Sequence, residues 1–255
     1  MNPLNHPVYD LLPQRTQRKL LSPISEDKLT WDCFFGLKKA AALDSNLAGL
    51  LGLGKELLVA PRLFLWGFEI YEALASPWPI LNDILSSVED YRDGKQEGQK
   101  TEPDAIILSE SSLVIIECKR GSRLGDCSRF KNRQCPEIHR EGRKRPYCQY
   151  WARGLDRLVT FSKPTPTTTA PECNRFYQLM RNHMIGARLA AALRVDLHLL
   201  VVKARRSPHF NETVNEVAAF NSMLKAAPKF GLASWEDLRY ARSRDLLAEY
   251  ADELP

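Results

Sequence analysis

The chain has 255 residues, of which 44% are apolar and 26% are charged, and its formal net charge is +5 at pH 7. This composition is typical of a globular protein and excludes a wholly disordered or collagen-like chain. The apolar stretches are short and interrupted by charged residues and prolines, whereas a membrane-spanning helix needs about 20 mostly apolar residues. We therefore expect one generous domain or two small ones, with no membrane partner.

The N-terminal residues contain neither the basic nor the apolar segment of a secretory signal. We therefore expect a cytoplasmic protein whose six cysteines are free thiols or metal ligands and not disulfides. Residues 1–24 contain several prolines and basic side chains, and we predict that they form an N-terminal arm.

The first predicted helix begins near Ser25, because Glu26 and Asp27 give it the acidic first turn that the helix dipole favours. Apolar residues at helical spacing extend this helix into the leucine-rich stretch 47–53. The short apolar run 62–66 is typical of a strand that is covered on both faces.

A second helix is predicted to open at Pro77 and Pro79 and to continue through Leu85. Two compact apolar runs, 104–108 and 113–118, follow it and are predicted to pair as a hairpin whose turn centres on Glu110 and Ser111. These elements and those that follow predict an α/β fold with the core order helix, three strands, helix, strand.

Apolar periodicity is lost after residue 119, so residues 120–173 are predicted to be an insertion in a core domain that spans 25–205. Residues 206–255 are predicted to be a C-terminal helical extension packed on that core. The later predicted elements are helices over 149–161 and 174–193, a strand over 195–202, and helices over 212–226 and 234–249.

The register of the predicted hairpin places three polar residues at one end of one sheet face. Asp104 lies opposite Glu117, and such residues share a face with Cβ atoms about 5 Å apart. Lys119 points the same way because it lies two residues further along the strand. Two carboxylates this close repel, and Mg²⁺ or Mn²⁺ would relieve the repulsion, with the Cys118 carbonyl as a further ligand. The alternative is a structural ion pair in which Lys119 bridges the two carboxylates.

Pro103-Asp104, twelve intervening residues and Glu117-Cys118-Lys119 resemble the signature of the PD-(D/E)XK nuclease superfamily. The resemblance implies a restriction-endonuclease-like core and a metal-dependent nuclease that hydrolyses phosphodiester bonds, in DNA foremost. It also implies that Asp104 and Glu117 hold Mg²⁺ and that Lys119 assists the attacking water. The alternative, from another functional class, is a non-catalytic module of nuclease-like fold that binds nucleic acid or a protein.

A polar helix face precedes the last predicted core strand, where Gln178, Arg181 and Asn182 follow at i, i+3 and i+4. The resemblance implies that this helix lines the active site, so Gln178 is predicted to support catalysis. The alternative for Gln178 is a plain surface residue. The first helix of such nucleases often carries an acidic residue near the metal, and Glu26 is the candidate, unless it serves only the helix dipole.

Basic side chains are concentrated directly after the predicted catalytic strand, since residues 119–145 contain ten basic residues against three acidic ones. Arg120 and Arg123, together with Arg181 and Asn182, are the predicted contacts to nucleic acid. Phosphate contacts of this kind supply affinity without reading the sequence. The alternative is a solvated loop with no special role.

Four potential soft ligands, Cys127, Cys135, His139 and Cys148, lie in the same insertion. Together they predict a structural Zn²⁺ site, because such a metal can stabilise a loop that has no hydrophobic core of its own. Cys173 is an alternative fourth ligand. An iron–sulfur cluster, known in some nucleases that the chain resembles, and free thiols are the remaining alternatives.

Overall fold

The computed structural model describes residues 3–39, 41–51, 59–88, 102–139, 147–225 and 227–238. Its centre is a seven-stranded sheet with the strand order β3-β2-β1-β4-β5-β6-β7. The strands are β1 (Arg62–Leu65), β2 (Phe68–Ile70), β3 (Ala75–Pro77), β4 (Ala105–Leu108), β5 (Ser112–Lys119), β6 (Asp196–Lys203) and β7 (Phe230–Ser234). The fold class is therefore mixed α/β, as predicted.

Helices cover both faces of this sheet. The longer ones are α2 (Gln14–Leu21), α3 (Glu26–Lys39), α4 (Leu43–Leu51), α5 (Pro79–Val88), α10 (Tyr177–Leu193) and α11 (Phe210–Met223). The short ones are a 3₁₀ turn (Pro3–Asn5), α1 (Val8–Leu11), α6 (Ser128–Lys131), α7 (Gln149–Ala152), α8 (Leu155–Leu158) and α9 (Glu172–Arg175). Within the described residues, no helix combines the length and the apolar character that a membrane span requires.

Strand β5 is an interior strand of the sheet, between β4 and β6, and is buried along its whole length. It pairs with β4 in antiparallel fashion and with β6 in parallel fashion. Alternate side chains of β5 enter two hydrophobic cores, one beneath α3 and one beneath α10. A strand covered on both faces needs apolar residues on both, and the run 113–118, which is apolar except at Glu117, supplies them.

The β4–β5 hairpin has the predicted register. Leu108 pairs with Leu113 and Ile106 pairs with Ile115, and the backbone of Ser109 donates to the carbonyl of Ser112 across a two-residue turn. The predicted strands over 62–66 and 195–202 and the helix over 174–193 also exist, as β1, β6 and the pair α9 and α10.

Helix α10 directly precedes β6 in the chain and packs closely against both β5 and β6. A Cβ added to Gly186 would come within 2.8 Å of Leu197 and 3.0 Å of Ile115, so glycine allows this close approach. Asn182 lies one turn earlier on the same helix face. The close packing at Gly186 therefore helps to bring the polar part of α10 down onto β5.

The segment predicted as an N-terminal arm is part of the fold. Its described residues form the 3₁₀ turn, α1 and α2, and they bury Val8, Leu12 and Leu20 in the core beneath α3. The prediction of an arm was wrong because these apolar residues are spaced among prolines and basic residues, so that no single long helix pattern identifies them.

The C-terminal part adds a strand that the sequence did not indicate. β7 pairs with β6 in parallel fashion, and the predicted helix start at Ser234 is the end of that strand. The Trp235 indole N–H follows directly and donates to the carbonyl of Lys119 at 2.9 Å. Helix α11 corresponds to the predicted helix over 212–226, whereas residues 239–249 of the last predicted helix lie outside the described residues.

The insertion, 120–173, contains only one-turn helices in its described residues. The helix predicted over 149–161 is interrupted at Gly154, whose φ of 93° is left-handed, so α7 and α8 are separate turns. Glycine adopts this conformation without a steric penalty, which makes it a natural break between two turns.

Candidate active site

The β4–β5 hairpin positions the two predicted carboxylates. The paired ladder ends at Ala105 and Ile116, so the next residues outward are Asp104 and Glu117. The Asp104 Oδ2 atom accepts the backbone N–H of Cys118 at 2.8 Å, which fixes this carboxylate beside β5. The two carboxylates therefore lie at the same end of the sheet.

Glu117 is the centre of a buried charge cluster, by which we mean Asp104, Glu117, Lys119, Arg181 and Asn182. The Lys119 ammonium lies 2.8 Å from Glu117 Oε1. On the other oxygen, Oε2, Glu117 accepts hydrogen bonds from Arg181 at 3.1 Å and from Asn182 at 2.7 Å. Arg181 also donates to the Asn182 side-chain oxygen, which holds the two α10 side chains together.

The environment drives the pKa values of the two carboxylates apart. Burial and the nearby charge of Glu117 raise the pKa of Asp104 to about 7. Burial also acts to raise the pKa of Glu117, but Lys119 and Arg181 outweigh it and hold that pKa below its ordinary value. Glu117 is therefore ionised at neutral pH, whereas Asp104 titrates there.

Lys119 stays charged although it is buried. Burial acts to lower its pKa, but the carboxylates of Glu117 and Asp104, together with Glu26, outweigh burial and raise it. The ammonium is thus a permanent positive charge beside the two carboxylates.

Glu26, the predicted acid of the first helix, is the first residue of α3 and binds the chain that leaves β5. Its carboxylate accepts the backbone N–H of Arg120 and the hydroxyl of Ser122, each at 2.8 Å. Its charge also reaches Lys119. Glu26 therefore does more than complement the helix dipole, because it joins α3 to the end of the strand that carries Glu117.

Gln178 acts on the insertion and not directly on the two carboxylates. Its side-chain oxygen accepts the backbone N–H of Gly125. A Cβ at Gly125 would lie 3.1 Å from the Gln178 amide carbon, so the absence of a side chain permits this contact. Gln178 thereby attaches the segment after β5 to α10.

The four predicted nucleic-acid contacts occupy different environments. Arg181 and Asn182 are buried on Glu117, and Arg120 is buried with its guanidinium donating to the Pro23 carbonyl at 3.2 Å. Arg123 is exposed and pairs with Glu212 at 3.0 Å. Because Arg120, Arg181 and Asn182 are buried, these side chains offer no surface to nucleic acid in this conformation. The helical spacing of Arg181 and Asn182 identifies a polar face of α10 but does not show whether that face is enclosed.

Lys203 is a charged residue at this site that the sequence reasoning missed. It ends β6 directly beside Lys119, is fully buried, and donates to the carbonyl of Ser122. Burial lowers the pKa of Lys203 to about 8, and Lys119 adds to this shift while Glu26 opposes it. A parallel pairing of β5 with β6 would have indicated Lys203, because the carboxyl ends of adjacent parallel strands lie at the same edge of the sheet.

The cysteines of the insertion converge on one cavity. Cys127, Cys135 and Cys148 line it, and its fourth cysteine is Cys173, whereas the predicted ligand His139 is not among the lining residues. Within the described residues, no three His, Cys, Asp or Glu side chains are placed to hold a single metal ion together. Four residues of the basic segment, Arg140, Arg143, Lys144 and Arg145, lie outside the described residues.

The comparisons with known proteins add a family to this geometry. The family model described as restriction endonuclease associating with ARP matches residues 72–253, which include every strand from β3 to β7. Comparisons with curated proteins and with solved structures gave no match. The family match indicates a restriction-endonuclease-like domain, consistent with the PD-(D/E)XK resemblance. Since it covers more than half of the chain, the protein belongs to the family of restriction endonucleases associating with ARP.

Proposed function

We propose that the protein is a Mg²⁺-dependent nuclease that hydrolyses phosphodiester bonds, foremost in DNA, at the buried charge cluster. The observation that carries the proposal is the placement of Asp104, Glu117 and Lys119. Two carboxylates and one ammonium from adjacent strands share one end of the sheet in a chain of a restriction-endonuclease family.

Asp104 and Glu117 fit a divalent cation. The repulsion between them contributes to the raised pKa of Asp104, and a cation between them would offset that repulsion. Mg²⁺ is usually bound by one or two carboxylates, with water completing its coordination, so two carboxylates are sufficient. The Cys118 carbonyl remains a candidate further ligand. A bound Mg²⁺ supplies a Lewis acid for the phosphate and makes a coordinated water more acidic.

The surrounding residues have distinct tasks in this proposal. Lys119 stays charged and offsets the negative charge that builds up on the phosphate during hydrolysis. Arg181 and Asn182 hold one oxygen of Glu117, so that this carboxylate keeps a fixed orientation. Glu26 and Gln178 attach the segment that follows β5 to α3 and α10, which keeps the end of the catalytic strand in place.

The experiment compares cleavage by the wild-type protein with cleavage by Asp104→Asn, Glu117→Gln and Lys119→Met. Substrates are supercoiled plasmid, linear duplex, single-stranded DNA and RNA, each with Mg²⁺, Mn²⁺ or EDTA. We expect each variant to lose about a hundredfold or more of the activity. Asp83→Asn, an exposed residue of α5, is the matched control and should cleave normally.

Two outcomes would overturn the proposal. Cleavage that survives Asp104→Asn and Glu117→Gln would place the chemistry elsewhere. Salt-sensitive binding of nucleic acid without hydrolysis by the wild type, under every divalent ion tried, would favour the non-catalytic binding module.

A further inference from the structure

We propose that Cys127, Cys135, Cys148 and Cys173 form the ligand set of a thiolate-bound metal centre in the insertion, separate from the buried charge cluster. The proposal replaces the histidine of the predicted zinc set with a cysteine. It adds a second metal, of different chemistry, to a protein whose proposed catalytic ion prefers oxygen ligands.

The first supporting observation is the shared cavity, which we call the four-thiol cavity. Its volume is about 30 Å³, and its lining includes the four cysteines together with Trp151 and Tyr177. The remaining cysteines, Cys33 and Cys118, are not among its lining residues. Four of the six cysteines of the chain, from four separate stretches of the insertion, thus line one small cavity.

The second observation is that backbone hydrogen bonds connect the cysteine-bearing segments in pairs. The Cys127 N–H donates to the Asn174 side chain at 3.0 Å, and Asn174 directly follows Cys173. The Cys148 N–H donates to Glu137 at 2.8 Å, two residues beyond Cys135. Each pair of segments is therefore fixed at the cavity by a polar contact outside the thiols themselves.

Glu137 is a buried carboxylate in the lining of the four-thiol cavity, and an apolar pocket does not require such a residue. Its carboxylate is almost fully buried, yet it accepts the Cys148 N–H and pairs with Lys163 at 3.2 Å. Burying a carboxylate is costly unless hydrogen bonds and an opposite charge compensate it. The fold accepts this cost at the position that holds the Cys148 backbone beside the cavity.

A bound metal would also stabilise the insertion, because the described part of the insertion has little regular secondary structure. Its described residues form only one-turn helices, so little regular backbone hydrogen bonding holds it, although Trp151, Leu155 and Val159 pack into the core beneath α10. Metal–thiolate bonds supply folding energy directly in such regions. The four-thiol cavity lies against the start of α10, so the centre would fasten the insertion to the helix that supports Glu117.

Two kinds of centre share this thiolate chemistry. A single Zn²⁺ requires the four sulfurs to draw together, because no three of the ligand-type side chains in the described residues converge on one ion. An iron–sulfur cluster is the other kind of centre that four cysteine thiolates hold. Both release thiol protons on binding, since the ligand is the thiolate.

The test is metal analysis of the full-length protein, purified without chelators and under nitrogen. Iron, zinc and acid-labile sulfide are quantified per chain, and X-ray absorption at the metal edge identifies the ligand atoms. Stoichiometric zinc with sulfur ligands supports a single-ion centre. Iron with matching sulfide and visible charge-transfer absorption supports a cluster.

Cys148→Ser and Cys173→Ser should each lose the metal, whereas Cys33→Ser, a thiol on α3, should retain it. Asp104→Asn should also retain it, because the charge cluster is a different site. The absence of stoichiometric zinc or iron in the wild type would overturn the proposal, as would metal with only nitrogen or oxygen ligands. These wild-type measurements decide the matter even if the serine variants fail to fold.

Discussion

The buried charge cluster and the exposed ion pairs around the insertion contain the same chemical groups at nearly the same distances. Glu117 lies 2.8 Å from Lys119 and 3.1 Å from Arg181. Lys131 lies 2.9 Å from Asp126, but these two side chains are 60% and 38% exposed, against 10% or less for Glu117, Lys119 and Arg181. The distance between opposite charges therefore does not separate the two regions, whereas their burial does.

This difference predicts a different energetic role for each region. Removing one partner from a buried pair leaves an uncompensated charge in a poorly solvated place, while an exposed partner is simply hydrated. The buried cluster should consequently govern stability and pH dependence. The exposed pairs should be available for phosphate contacts at little cost to the fold.

The largest expected effect follows from Arg181→Met. This change leaves the Glu117 carboxylate with one of its two cationic partners missing, so the free energy of unfolding should fall by about 3–5 kcal/mol. Chemical denaturation monitored by circular dichroism measures it. Arg188→Met, a half-buried arginine of the same helix, is the control and should cost less than about 1 kcal/mol.

The double variant Arg181→Met, Glu117→Gln sharpens this comparison. Because it removes the charge that Arg181 compensates, it should recover part of the lost stability. A fall as small as that of the control in Arg181→Met, or no recovery in the double variant, would show that the cluster is not held by buried charge.

The next effect concerns Asp104→Asn and pH. The folded-state pKa of Asp104, about 7, lies above its ordinary value of 3.8, so the folded protein holds this proton more tightly than the unfolded chain. Its stabilising contribution is therefore complete below about pH 4 and is lost as pH rises through 7.

Relative to Asp104→Asn, the wild type should accordingly lose on the order of a few kcal/mol of unfolding free energy between pH 4 and pH 8. Parallel denaturation series at several pH values measure the difference. Identical pH profiles for the two proteins would contradict the raised pKa of Asp104 in the folded protein.

A smaller effect is expected at Gln178, which lies between the two regions. Gln178→Ala removes the acceptor for the Gly125 N–H and should cost about 1 kcal/mol. Gln178→Glu keeps an acceptor oxygen and should cost less. Limited proteolysis of the insertion gives a second readout, and equal cleavage of the wild type and Gln178→Ala would argue against the proposed attachment.

The smallest expected effect on stability is that of Lys131→Ala. Its ion pair with Asp126 is exposed, so the change in unfolding free energy should stay within about 0.5 kcal/mol. If the insertion contacts phosphates, the same variant should weaken nucleic-acid binding at low salt and reduce its salt dependence. A loss of stability similar to that of Arg181→Met would remove the distinction between the two regions.

The parts of the fold that the sequence predicts are those with a strong local pattern. The hairpin register follows from two apolar runs and a two-residue turn, and this register alone brings Asp104 opposite Glu117. The burial of Arg181 and Asn182 depends on how closely α10 approaches the sheet, which is a tertiary property. Helical spacing identifies their common face and leaves the partner of that face open.

The missed elements have local patterns that suit more than one structure. Ser234 and Asp237 exchange the hydrogen bonds of a helix start, but in the described residues they close a single turn after β7. The β1–β2 hairpin turns at Trp66 and Gly67, both with positive φ, and only the glycine signals such a turn in the sequence. Lys203 was missed because its significance depends on the strand beside it.

The hydrogen bond from the Trp235 indole to the Lys119 carbonyl makes this ring a built-in spectroscopic reporter. The indole N–H gives a resolved NMR signal, and its chemical shift depends on the strength of the hydrogen bond that it donates. Titrating the protein with Mg²⁺ while following this signal would detect rearrangement of the strand end without any substrate. The remaining four tryptophans of the chain serve as internal references in the same spectrum.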